Sequence, residues 1–186
     1  MSLTPSTMQA LGSEAPDFKL QDVKSGNYFT LDDFTGKKAF LVMFICQHCP
    51  YVRHVENELA KIGKEYKDKD ISIVAISSND VMTHPDDSPE MMKEQAERLG
   101  FDFPYLYDDA QEVAKKYKAA CTPDFFLYNN EKKLVYRGQL DNSRPGNDLP
   151  VSGSDLREAI DAVLQDRQIS QDQKPSTGCN IKWKSD

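Results

Sequence analysis

Between Phe44 and Val52 the sequence reads FICQHCPYV, which places Cys46 and Cys49 two residues apart, with His48 between them and Pro50 directly after. Two thiols at this spacing can form a dithiol-disulfide couple, half of a metal site, or a pair of buried small hydrophobes. If the pair stands where a strand runs into a helix, unpaired N–H groups and partial positive charge favour a thiolate at Cys46, whose pKa should fall below the usual value of about 8.5. Cys46 is then the attacking thiol. Cys49, about one helical turn further on, is placed to resolve the mixed disulfide that Cys46 forms. His48, protonated or donating to the Cys46 sulfur, would stabilise that thiolate. Pro50 fits a first helical turn, where its missing N–H costs nothing. No second C-x-x-C or H-x-x-x-H follows, which disfavours zinc. His54 and His84 carry no pattern of their own.

The chain that must position these residues has 186 residues, 39% of them hydrophobic, enough for one sizeable core and a single domain over residues 1–186. Its net charge of -7, with basic residues scattered among acidic ones, offers no stripe for nucleic acid or anionic lipid, so neither partner is expected. The first residues, MSLTPSTMQALGSEAPDF, do not read as a secretory signal, and a cytoplasmic location is the expectation. The longest apolar run, Ala39 to Cys46, is far short of the roughly 18 residues that a membrane span needs. In a reducing compartment four cysteines point to catalysis, metal binding or burial rather than to a disulfide framework.

The segment DFKLQDVKSGNYFTL suggests a hairpin around Ser25-Gly26-Asn27. KAFLVMFI, residues 38–45, is apolar on both faces and reads as a central strand covered on both sides. From Pro50 to about Lys67, Val52, Val55, Leu59, Ile62 and Tyr66 recur at helical spacing. Residues 71–77, ISIVAIS, form a second buried strand and complete a β-α-β unit. A polar loop leads to Ser88 as N-cap and Pro89 as first residue of a helix that Gly100 stops. FPYLYD is a short strand and AQEVAKKYKAA a helix. DFFLYNNEKKLVYRGQL gives a further hairpin, which makes the sheet mixed. The last helix lies in SGSDLREAIDAVLQD, with Ser152 and Asp155 spaced as a capping box. Residues 166–186 are a tail, polar except near its tip.

A strand, then CQHCP, then a helix, and far downstream CTPDFFLY, resembles the thioredoxin superfamily. The N-terminal hairpin and the inserted helix-strand segment narrow the resemblance to the branch shared by TlpA-like oxidoreductases and peroxiredoxins. It implies a thioredoxin-like α/β fold, a central mixed sheet flanked by helices. It also implies that Pro123 is cis and faces the dithiol, with the Thr122 backbone offered to an extended substrate segment. The implied activity is thiol-disulfide exchange on a disulfide-containing protein or a small thiol, with no cofactor and with the electron donor left open. Departures from the family are Ile45, where thioredoxins carry tryptophan, and a preceding strand without the buried acid that serves the second cysteine, so the proton acceptor of Cys49 stays open. Gln47-His48 is closer to the Pro-His of the DsbA branch than to the Gly-Pro of thioredoxins, which suggests a couple less reducing than about -270 mV.

Two alternatives stand beside this reading. Peroxiredoxins need a threonine four residues after a proline and three before the reactive cysteine. Ala39 and Met43 occupy those positions before Cys46, and Val42 and Cys46 before Cys49, so a thiol peroxidase rests on fold resemblance alone. A copper- or zinc-binding module ranks third. Cys121, two residues before Pro123, belongs by the resemblance near the dithiol, and Arg137 and Arg144 are candidates for its rim. In the tail, Ile181 and Trp183 should pack back on the domain. Gly178 allows the chain to turn just before Cys179, which makes Cys179 and Cys121 candidate auxiliary redox thiols.

Overall fold

The computed structural model describes residues 3–185; Met1, Ser2 and Asp186 lie outside the described residues. In chain order its elements are β1 (Leu3–Pro5), β2 (Lys19–Asp22), β3 (Tyr28–Thr30), β4 (Ala39–Phe44), α1 (Pro50–Tyr66), β5 (Ile71–Ser77) and α2 (Pro89–Leu99). There follow β6 (Tyr105–Tyr107), α3 (Glu112–Tyr117), β7 (Cys121–Thr122), β8 (Asp124–Asn129), β9 (Leu134–Gly138), α4 (Ser154–Leu164) and β10 (Thr177–Asn180). Seven strands form one mixed sheet in the order β3-β2-β6-β5-β4-β8-β9, and three form a small sheet, β1-β10-β7.

β4 is central because every residue in it is buried. It pairs parallel with β5 and antiparallel with β8. Leu41 and Met43 face a cluster that includes Val52, Leu59, Ile62 and Tyr66 of α1 and Leu156 and Ile160 of α4. Phe40, Val42 and Phe44 face a second cluster with Phe18, Phe34, Tyr117 and Tyr128. Each of these large side chains contributes about 1.5–3 kcal/mol by leaving water, which fixes the end of β4 and the start of α1 relative to each other. Among the described residues no helix is long and apolar enough to cross a membrane.

The helix signals are read unevenly by the structure. Pro50 is the first residue of α1 and Cys49 its N-cap; Ser88 caps α2 by accepting from the Met91 amide, and Gly100 ends it with φ of 66°. The capping box expected at Ser152 and Asp155 is absent. Gly153 is the N-cap of α4, and the Asp141 carboxylate takes over, accepting the Ser152 and Gly153 amides at 2.7 Å each. A capping box forms instead at Thr30 and Asp33. α3 is shorter than AQEVAKKYKAA, because Lys118 turns into the left-handed region with φ of 53°.

The ends of the chain depart most. The first residues and the tail, neither of which is expected to hold a strand, pair as β1 and β10, with Leu3, Thr4 and Pro5 opposite Cys179, Gly178 and Thr177. Ile181 is buried in the core as expected, whereas Trp183 is 42% exposed, with the Lys115 ammonium over its ring.

Candidate active site

Cys46 and Cys49 lie where β4 gives way to α1, and both are fully buried. Their sulfurs hydrogen-bond each other, and both rest on Thr122. Cys46 Sγ lies 3.3 Å from Thr122 Oγ1, and Cys49 Sγ lies 3.3 Å from the Thr122 carbonyl oxygen. The Thr122–Pro123 bond is cis, as the resemblance implied. Sequence separations of 76 and 73 residues are closed because β7 and β8 follow one another beside β4.

Thr122 is not open to a partner. It is buried, and its register partner is Cys179 of β10. The edge expected to receive an extended substrate is thus occupied by the chain's own tail. Cys179 is buried there too and hydrogen-bonds Cys49. Cys121 is the neighbour of Thr122 in β7. Adjacent strand residues point to opposite faces, so with the Thr122 hydroxyl on Cys46 the Cys121 thiol turns away, its sulfur 3.6 Å from the Pro123 carbonyl oxygen.

The long polar loop contributes the residue that the sequence did not single out, Asp87, buried in a short 3-10 turn (Pro85–Asp87). Asp87 Oδ1 accepts the amides of Gln47 and His48 at 2.8 and 2.9 Å, and Oδ2 accepts from Asn79 at 2.8 Å and bonds His48 Nδ1. His48 is therefore tied to a carboxylate. Its ring packs against His84, with centroids 4.7 Å apart, which brings His84 beside the site. Gln95 of α2 donates to the Cys46 carbonyl at 3.4 Å and to Glu56 at 3.0 Å, and accepts from the Tyr105 hydroxyl. Nothing in SNDVMTHPDDSPE distinguishes Asp87 from Asp80 or Asp86, because its inward turn is set by the amides it meets.

These contacts reverse the expected electrostatics. The helix-entry amides that were to stabilise a Cys46 thiolate are neutralised by Asp87. Burial first, then the bonded Cys49 sulfur and the Asp87 carboxylate, push the Cys46 thiol well above its usual pKa. Cys49 is drawn down to about 5 by hydrogen bonding from Cys46, against burial and with help from Cys179 and the Val52 amide. The two titrate as a coupled pair, in which the hydrogen bond between the sulfurs raises the pKa of Cys46 and lowers that of Cys49. Burial works against the Asp87 carboxylate, but hydrogen bonds from the His48 ring, the His48 amide and Asn79 outweigh it and hold its pKa low. The buried acid missing from β4 has a counterpart on the adjacent strand: Asp124, paired with Phe44, is pushed up to about 7 by burial. Burial, then Asp124, raises the Cys121 pKa, which disfavours its thiolate.

Cys46, His48 and Asp87 offer ligand atoms within 4.8 Å of one another, the one such grouping among the described residues. A cation there would have to compete with the His48–Asp87 bond and the two amides on Asp87. The rim expectations divide. Arg137 is bound to Gln9 and Gln173, away from the dithiol. Arg144 lines a small groove with Pro123, Tyr51 and His54, but its guanidinium is engaged by the Asp141 and Ser143 carbonyls and Gln139.

Comparison with known proteins agrees with this geometry. The Redoxin family model matches residues 10–156, which leaves β10 outside the match. The thiol-disulfide oxidoreductase ResA of Geobacillus kaustophilus is 33% identical over 142 residues, 74% of this chain and 75% of that protein. An uncharacterized conserved protein from Geobacillus kaustophilus superposes with a TM-score of 0.98 at 52% identity, over 100% of this chain and 98% of the other. The thioredoxin domain of a thiol-disulfide oxidoreductase from Bacteroides vulgatus superposes with a TM-score of 0.64 at 26% identity, over 83% of this chain and 98% of that one.

Proposed function

This chain belongs to the redoxin family and is a thiol-disulfide oxidoreductase with a thioredoxin-like fold, and on that premise we propose that Cys46 and Cys49 exchange disulfides with a protein or small-molecule substrate. The observation that carries the assignment is the contact of both sulfurs with each other and with Thr122. In the reducing direction Cys46 passes its proton to the Cys49 thiolate as it attacks a substrate sulfur. The substrate disulfide breaks, a Cys46 mixed disulfide forms, and the departing sulfur takes a proton. Cys49 then attacks the Cys46 sulfur, releasing the second substrate thiol and leaving a Cys46–Cys49 disulfide. Two electrons pass to the substrate, with one proton from the pair and the other from solvent. Cys49 itself thus serves as proton acceptor for Cys46.

An extended substrate reaches Thr122 only when β10 lifts, since neither sulfur is exposed with it in place. A reducing, cytoplasmic setting is part of the proposal, supported by the gathering of Cys46, Cys49 and Cys179 at one site rather than their spread as separate staples. Reduction of insulin by dithiothreitol tests the assignment. The wild type should accelerate it, Cys46→Ser should lose the acceleration, and Cys49→Ser should accumulate mixed disulfides; full turnover in Cys46→Ser would refute it.

Removal of peroxide is a second reading, favoured by one contact: the Thr122 hydroxyl on Cys46 stands where a peroxide-holding hydroxyl is needed, although it comes from β7. Against it, the charged group that faces Cys46 is the Asp87 carboxylate, which opposes a Cys46 thiolate. A peroxide-consumption assay with dithiothreitol as reductant distinguishes the two.

A further inference from the structure

The Cys49 sulfur lies 3.3 Å from the Thr122 carbonyl oxygen, and Cys179 of β10 is the register partner of Thr122, so Cys49 has Cys46 of the helix entry on one side and Cys179 on the other. The second is held on both sides of its strand and beyond both of its ends. β10 pairs on one side with β1 and on the other with β7. Ser176 Oγ donates to the Pro123 carbonyl at 2.6 Å before the strand, and the Ile181 amide donates to the Ala120 carbonyl at 3.1 Å after it. The Asp80 amide and Gln111 Nε2 both donate to the Lys182 carbonyl at 2.8 Å, and the Lys182 amide donates to Asn79 Oδ1 at 2.8 Å. Through Asn79 this anchoring reaches Asp87 and the dithiol loop. The strand lies antiparallel to the edge where the resemblance places a substrate, and it presents a cysteine at the register of Thr122.

We propose that Cys179 is a third redox-active residue, an internal thiol that takes over the disulfide from Cys46 by attacking the Cys49 sulfur. This rests on the reading of Cys46 and Cys49 as the active dithiol. Starting from the Cys46–Cys49 disulfide, the Cys179 sulfur bonds to Cys49, the Cys46–Cys49 bond breaks, and Cys46 leaves with the electron pair and takes up the proton that Cys179 gives up. One disulfide and two sulfur-bound electrons are conserved, so no further oxidant or reductant is needed. The step returns Cys46 to its thiol form while the oxidising equivalent is stored on the tail strand.

The local electrostatics favour this order. In the reduced protein burial, then the hydrogen bond and charge of Cys49, hold Cys179 up at about 12, with Lys182 pulling the other way. Once Cys49 is in a disulfide it carries no charge, and only burial still opposes the Cys179 thiolate. Cys179 is thereby easier to ionise when there is a disulfide for it to attack. The position of its sulfur is paid for by folding, so no ordering cost remains at the moment of exchange.

Disulfide mapping tests the assignment on the full chain, oxidised with glutathione disulfide, quenched in acid, alkylated and digested. In the wild type the expected products are two species, Cys46–Cys49 and Cys49–Cys179. Cys46→Ser should lose two thiols on oxidation and yield Cys49–Cys179 alone. Cys46–Cys49 as the sole product in the wild type would overturn the role of Cys179 and leave the dithiol assignment standing. If the wild type forms neither disulfide, both readings fall. Because the wild type is itself diagnostic, a folding defect in the variant does not decide the outcome.

Discussion

Gly178 and Thr122 approach so closely that a Cβ on Gly178 would stand 1.9 Å from the Thr122 carbonyl oxygen. That oxygen also contacts the Cys49 sulfur, so the backbone of β10, the residue before Pro123 and the dithiol form one packed unit. No side-chain rearrangement relieves such a clash, because the atom met is backbone. Gly178→Ala should therefore separate β10 from β7. We expect a lower thermal midpoint and alkylation of Cys46, Cys49 and Cys179 at least ten times faster than in the wild type. Unchanged alkylation rates in a folded variant would show that β10 does not guard the site.

The thiol pair should show its charge on Cys49. The ultraviolet thiolate absorbance of the reduced wild type should rise with a midpoint at about 5. Cys46→Ala removes the hydrogen-bond donor that contributes most to that shift, so the midpoint should move up by a unit or more, each unit being about 1.4 kcal/mol of lost stabilisation. His48→Ala leaves the Asp87 carboxylate without its ring partner and strengthens its push on Cys46. Alkylation of Cys46 at fixed pH should slow several-fold in that variant and quicken in Asp87→Asn. Equal rates in the three proteins would remove the His48–Asp87 pair from the mechanism.

Asp124 should make the protein less stable as pH rises. Its native carboxyl titrates at about 7 against an ordinary 3.8, so between those values the native state holds a proton that the unfolded chain has lost. The stabilisation is complete below about pH 4, declines as pH rises and is gone above about 7, a difference on the order of a few kcal/mol. In urea denaturation the wild-type midpoint should fall between pH 5 and pH 8 more than that of Asp124→Asn. Parallel pH dependence in the two proteins would contradict the raised pKa.

Local sequence patterns specify the elements that carry the dithiol. An eight-residue apolar run, a cysteine pair and an amphipathic repeat from Val52 to Tyr66 are local patterns, and burial of their apolar faces leaves little choice but a covered strand running into a helix. Pro50, Ser88 and Gly100 were legible for the same reason, since a cap depends on neighbours within one turn. The expected place of Pro123 came from family resemblance rather than from its own surroundings.

What surrounds the sulfurs depends on contacts between residues distant in the chain. Asp87 comes from a loop 40 residues beyond Gln47 and cancels the helix-entry charge on which the expected Cys46 thiolate depended. The tail strand TGCN is too short for its alternation to register, and it exists because β1 and β7 each leave an edge for it to pair. Ile181 goes inside and Trp183 does not, because only the first meets the cluster of Phe18 and Tyr117. Hydrogen-bond partners far apart in sequence set the charge on each thiol, and a pKa shift follows from those partners and from burial, neither of which is a property of the local sequence.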